Sequence, residues 1–89
     1  MRIKSGYELK KRDNRYVVTY NGTVSGELDN SIVLADTAVF LWNFLKENDA
    51  TKTEMLNALI ENFDISTVLA LGNIDVFVRT MKENGIIEE

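Results

Sequence analysis

The chain has 89 residues, ten of them basic and fourteen acidic, for a formal net charge of −4; this is a single domain with just enough interior for one core. It contains no cysteine and no histidine, which excludes disulfides, thiolate nucleophiles and cysteine-bound zinc and removes the commonest general base and metal ligand. With 45% apolar residues and no apolar run near the roughly 18 needed to span a bilayer, the expectation is a cytoplasmic, globular binding module rather than an enzyme.

The first segment is basic. Residues 1–20 carry Arg2, Lys4, Lys10, Lys11, Arg12 and Arg15 against Glu8 and Asp13. No apolar segment comes after these cations, so they do not form a signal peptide. Residues 7–12, YELKKR, place Tyr7, Leu9 and Lys11 on one side of a strand, and residues 15–20, RYVVTY, are rich in β-branched and aromatic side chains. Asp13-Asn14 between them fits a two-residue hairpin turn. Asn21-Gly22 ends the second strand, and Gly26 and Asp29-Asn30 interrupt residues 23–31. Ile32, Val33 and Leu34 then form a short apolar run suited to a third strand, within a strand region of about residues 7–34. So few strands need a helical layer over one face.

Three helices are predicted next, over about residues 36–46, 52–63 and 66–84. In the first, where Asp36 and Thr37 can cap the start, Ala38, Leu41, Trp42 and Leu45 recur at helical spacing, and Val39, Phe40 and Phe44 widen the apolar arc. Thr51 and Glu54 have capping-box spacing at the start of the second, whose core face is Met55, Leu56, Leu59, Ile60 and Phe63. Ser66 caps the third, and Gly85 stands where a left-handed residue ends a helix. Ile86 and Ile87 fold back onto the core.

The third helix is apolar on two sides. Ala70, Ile74, Phe77, Val78 and Met81 form a regular core stripe, yet Val68, Leu69, Leu71 and Val76 lie off it, with Gly72 among them. Either other core elements cover this second face, or it is a shallow groove floored by Gly72 that awaits a ligand. An extended peptide could add to the strand edge at Ile32–Leu34 and lay alternate side chains into that groove. The candidate contacts are Leu28, Ser31, Ile32, Val33 and Leu34 on the strand side. On the helix side they are Val68, Leu69, Leu71, Gly72, Asn73, Asp75, Val76 and Arg79.

Other constellations are poorer. As a helix-turn-helix, the third helix offers only Arg79 and Lys82, both late, where base-reading residues cluster early. The scattered carboxylates Glu27, Asp29, Asp36, Asp49, Glu61, Asp64 and Asp75 form no metal-binding string. A winged-helix DNA-binding domain or a general protein-interaction domain remain as alternatives.

From Leu34 onward the chain resembles the PqqD-like peptide-binding domains, the RiPP recognition elements. Their pattern begins with Leu, Asn, a polar residue, Thr and a small residue, and here reads Leu34-Ala35-Asp36-Thr37-Ala38. Their Trp-x-x-Leu is Trp42 to Leu45, their capped second helix starts at Thr51, and their Asp-Val linker is Asp64-Ile65. Their Asp-Val-x-x-Phe core and closing Gly-Leu correspond to the stretch Asn73-Ile74-Asp75-Val76-Phe77 and to Gly85-Ile86, in register without gaps from Leu34 to Ile87. Ala35 and Asn73 depart from the family's Asn and Asp. The resemblance implies an α+β fold, a three-stranded antiparallel N-terminal sheet followed by a three-helix bundle in a winged helix-turn-helix-like arrangement. It also implies a non-catalytic peptide chaperone without cofactor or metal. Such a domain holds the leader of a ribosomally made precursor peptide and presents it to a radical SAM enzyme or, in lasso-peptide pathways, a leader peptidase. Nucleic acid and membrane are not expected partners, and the domain is expected to be a monomer or weak homodimer.

Overall fold

Residues 1–20, 23–24, 33–34 and 36–88 are described in the computed structural model of the chain. The elements run β1 (Arg2–Ile3), β2 (Tyr7–Arg12), β3 (Arg15–Tyr20), β4 (Thr23–Val24), β5 (Val33–Leu34), α1 (Asp36–Glu47), α2 (Lys52–Asn62), α3 (Thr67–Glu83) and β6 (Ile87–Glu88). The architecture is α+β, three helices with two small antiparallel sheets.

The central hairpin follows from local chemistry. Asp13 and Asn14 both take positive φ, +48° and +68°, as a two-residue turn matched to strand twist requires, and both residue types tolerate that region. This turn sets the register of β2 on β3, from Arg12↔Arg15 to Tyr7↔Tyr20. Leu9 and Val18 face each other in the core, and the rings of Tyr7 and Tyr20 meet at a tilt of 54° with centroids 4.7 Å apart. Thr19 is buried on the other face, where its hydroxyl donates to the Glu8 carbonyl (3.3 Å).

The sheet differs from the expected three strands. β4 and β5 both pair with β3 on the side away from β2, through Thr19↔Val24 and Tyr20↔Thr23, and through Tyr16↔Leu34 and Val17↔Val33. The third strand is therefore two short segments along one edge. The expected turn at Asn21-Gly22, and Gly26, Asp29, Asn30, Ile32 and Ala35, lie outside the described residues. A second sheet, absent from the sequence-based expectation, joins residues 2–3 to residues 87–88. In it β1 pairs with β6 through Arg2↔Glu88 and Ile3↔Ile87, and Lys4 N–H donates to the Ile86 carbonyl (2.8 Å). Two-residue strands carry no measurable periodicity, so only pairing reveals them.

Three of the helix ends have a local chemical cause. Thr51 and Glu54 close the capping box on α2 in both directions, and the Ser66 hydroxyl accepts from Leu69 N–H at the start of α3. α3 ends in a Schellman motif: Ile86 N–H donates to the Met81 carbonyl and Gly85 N–H to that of Lys82, with Gly85 at φ +69°. That reversal aims Ile86 and Ile87 into the core and delivers β6 to β1.

One buried cluster unites these parts. It joins Ile3, Val18 and Leu34 to Leu41, Trp42 and Leu45 of α1, Met55 and Leu59 of α2, the α3 stripe, and Ile86 and Ile87. Phe40 meets Phe63 edge-on, centroids 5.4 Å apart, where α1 crosses the end of α2. Ile60, placed by periodicity on the core face of α2, is exposed. It sits beyond the Met55–Leu59 line that the narrow interface admits.

The Met1 ammonium donates to Asp49 Oδ1 (2.9 Å) and to the Ala50 carbonyl (2.8 Å), and Ala50 N–H returns a bond to the Met1 carbonyl (2.9 Å). The ammonium's hydrogen bond and its charge hold the Asp49 carboxyl below the ordinary carboxylate range. A carboxyl lowered in the folded state contributes stability above its unfolded pKa, and loses it as pH falls through the folded one. Acidification below about pH 4 should therefore cost the natural protein more stability than Asp49→Asn, so that the two melting temperatures converge in acid. Gly85→Ala should lower stability by about 1–2 kcal/mol, the cost of a left-handed L-residue. Denaturant titration followed by emission of the buried Trp42 would measure it.

Candidate functional site

α3 presents four rows of side chains, because residues three and four apart share a face. Ala70, Ile74, Phe77, Val78 and Met81 are buried. One flank, carrying Leu71, Asp75 and Lys82, is turned to α2, since the Lys52 ammonium of α2 lies 3.2 Å from Asp75 Oδ1. The crest opposite the core holds Val68, Gly72 and Arg79. The far flank, directed away from α2, holds Leu69, Asn73, Val76 and Thr80.

Most of the uncovered apolar surface lies on the crest and far flank, and Leu71 extends it onto the α2 flank. Val68 is 79% exposed, Leu69 63%, Val76 54% and Leu71 41%. No described element packs over these side chains, so among the described residues the core does not cover this face. A helix of this length needs one apolar stripe to dock, and α3 already has it in full. Four large exposed aliphatic residues on one helix half therefore serve no packing purpose within the described chain.

Gly72 lies among them without a structural reason. A Cβ built on it meets nothing within 4 Å, and its φ is an ordinary helical one. Glycine within a helix costs about 1 kcal/mol relative to alanine, and nothing within the described chain uses the space it leaves.

On the strand side, β5 has a free outer edge among the described residues. In an antiparallel ladder alternate residues bond to opposite neighbours. The hairpin turn fixes Val17 as bonded to β2, so Tyr16 bonds Leu34 and its neighbour Val33 turns its N–H and carbonyl outward. The Leu34 side chain points the other way, 7% exposed in the core. Leu34 can thus hold the strand in place but offers no side-chain contact to a ligand. Leu28, Ser31 and Ile32, the remaining strand-side candidates, lie outside the described residues.

The structure thus separates the helix-side candidates. Leu69, Gly72, Asn73 and Val76 share one continuous surface with Val68 and Arg79 on its crest, whereas Leu71 and Asp75 lie on the α2 flank. That flank borders a cleft of about 480 Å³ lined by Lys52, Asp75, Val78, Arg79, Lys82 and Glu83. Charged walls suit it poorly to apolar anchors. Thr80, half-buried at the end of the far flank, escaped the sequence reading; its spacing of four from Val76 and eleven from Leu69 is the signal that places it there. No group of His, Cys, Asp and Glu able to hold a metal occurs among the described residues, and no described helix is long and apolar enough to cross a membrane.

A small antiparallel sheet beside three helices, with a free strand edge and an uncovered apolar helix face, defines a class of compact α+β domains suited to binding. The family model of coenzyme PQQ synthesis protein D (PqqD) matches residues 16–87, and the chain belongs to that family. Among solved structures, the fold is similar to that of TbiB1 in complex with the TbiA(beta) leader peptide. The TM-score is 0.71 at 15% identity, over 99% of this chain and 95% of that one. No curated protein matches the chain in sequence at a significant level.

If Gly72 is unused by the fold, Gly72→Ala should raise stability by about 0.5–1 kcal/mol. A melting curve reads this directly.

Proposed function

We propose that this chain is a non-catalytic carrier for the leader segment of a ribosomally made precursor peptide. The leader binds in extended form, adds as a strand to the edge at Val33, and lays apolar side chains on the far flank and crest of α3. Leu69, Gly72, Asn73, Val76 and Thr80 receive it, with Val68 and Arg79 at the margin. Leu71 and Asp75 contribute little. The carrier presents the peptide to a maturation enzyme, a radical SAM protein or a leader peptidase, in a winged helix-turn-helix-like frame.

The observation that carries this reading is the exposed aliphatic half of α3 around an unpacked glycine. Membership of the PqqD family supports it, as does the likeness to a structure solved with a leader peptide. Backbone bonds along the strand edge supply sequence-tolerant affinity, and one or two apolar anchors supply selectivity. The same surface argues against DNA, because the first three turns of α3 present no cation to a phosphate.

Titration of isotope-labelled protein with the leader of the precursor encoded beside its gene should shift the amides of Val33, Leu69, Asn73, Val76 and Thr80. Shifts confined elsewhere would end the proposal. Val76→Asp should weaken binding at least about tenfold, ~1.4 kcal/mol, while leaving the melting temperature within a few degrees. Loss of the fold in that variant would instead mark Val76 as core.

A further inference from the structure

The hairpin and the β1 segment carry a second surface, on the other side of β3 from the free edge of β5. Six of the ten cations lie in residues 1–20 with only two of the fourteen carboxylates, which leaves four cations and twelve carboxylates for the rest. Such polarity offers many internal ion pairs, yet among the described residues Lys4, Lys10, Lys11 and Arg15 form no salt bridge. The family model begins at residue 16, so most of this basic segment lies outside what the family pattern describes.

Two structural features give the charge a shape. The first is the outer edge of β2, which no described strand covers. Because Arg12 and Arg15 close the two-residue turn as a bonded pair, Lys10 and Glu8 also bond to β3, while Lys11, Leu9 and Tyr7 turn their backbone groups outward. The Tyr7 carbonyl is taken by the Lys46 ammonium at 2.8 Å; the N–H and carbonyl groups of Leu9 and Lys11 meet no partner among the described residues. The second feature is the seam between the two sheets, a cleft of about 370 Å³ lined by Lys4, Ser5, Tyr7, Tyr20, Gly85 and Glu88. It is large enough for a side chain, with the Lys4 ammonium and two phenols on its walls beside the Glu88 carboxylate, which Arg2 Nε already engages at 2.8 Å. Exposed Tyr16, cross-strand from Lys11, adds the kind of aromatic side chain that is enriched at interfaces.

We propose that the open edge of β2 and the seam at Ser5 together form a docking surface for an extended acidic segment of a partner protein. The segment pairs with Leu9 and Lys11 through its backbone and sets carboxylates against Lys4, Lys10 and Lys11. Charge complementarity identifies this occupant. Lysines on an edge strand also deter self-pairing, but Lys4 and the seam cleft lie off that edge and a deterrent role leaves them unexplained. A long polyanion such as nucleic acid would extend from the hairpin over the carboxylate-rich helical layer. A short acidic strand stays within a Debye length of about 8 Å of the cations. The surface is independent of α3, so it stands or falls apart from leader binding.

The test is a nuclear magnetic resonance titration of the labelled protein with a ten-residue peptide built on a Glu-Glu-Thr repeat, which as an added strand carries carboxylates on both faces, as the opposed Lys10 and Lys11 require. The expected result is saturable shifts and slowed hydrogen exchange at the amides of Leu9 and Lys11, at least tenfold weaker for the glutamine analogue of the peptide. The double variant Lys10→Glu, Lys11→Glu should weaken binding to the same degree with an unchanged melting temperature, since both positions are exposed. Four outcomes overturn the proposal. These are unsaturable shifts spread over every cation, shifts confined to α3, tighter binding of a single-stranded DNA of equal charge at the same residues, and a dimer by light scattering that Leu9→Pro dissolves.

Discussion

The rest of the molecule depends on how α3 spends its one buried stripe. Ala70, Ile74, Phe77, Val78 and Met81 are wholly or nearly wholly enclosed, and each large aliphatic or aromatic side chain so enclosed contributes roughly 1.5–3 kcal/mol relative to exposure. Rotating α3 by one residue would exchange that set for Leu71, Asp75, Val78, Arg79 and Lys82, placing three charges in the core. The orientation of the helix is thereby locked. Whatever lies opposite the stripe is held outward as rigidly as the core is held inward, and this is why an apolar face can remain exposed on a stable scaffold. The exposed apolar face is a by-product of the same constraint that makes the helix dock.

The parts of this arrangement that were legible in the sequence are those fixed by neighbours in the chain. Asp13-Asn14, Thr51 with Glu54, Ser66 and Gly85 act over two to five residues, and each forms the turn or cap that its chemistry implies. The α3 stripe was legible for the same reason, since seventeen residues of regular spacing repeat the signal. Pairing between distant segments was not. Nothing local in Arg2-Ile3 points to Glu88 and Ile87, and nothing local divides the third strand into Thr23–Val24 and Val33–Leu34. Ile60 shows the limit of periodicity, which ranks positions by angle without knowing how wide a neighbour's contact is. The candidate site was half legible: the surplus of aliphatic residues marked the helix. Only the Lys52–Asp75 bridge tells which flank belongs to α2, and so sets Leu71 and Asp75 apart from the crest and far flank.

Electrostatics divides the molecule along a different line from packing. The hydrophobic cluster runs through both sheets and all three helices, whereas charge sorts the hairpin and residues 1–6 from the helical layer. The three described ion pairs are few and exposed, and pairs of that kind add little stability each. The surface charges thus add little to the stability of the core and bear mainly on what approaches. One end of the domain is distinguished by exposed apolar side chains and the other by positive charge, and the two share one core.

The pairing of β1 with β6 has a consequence for how the protein comes into being. Arg2 and Glu88, 86 positions apart, meet side by side with Nε and Oε1 2.8 Å apart. Until residue 88 has been synthesised and has cleared the ribosome, Ile3 has no partner strand, and the α1 surface that β1 covers stays open to water. The nascent chain can form its hairpin and helices early, since those contacts are local, but the sheet that closes the core spans nearly the whole sequence. Completion of the fold therefore waits on the emergence of Ile87 and Glu88, which act as its latch.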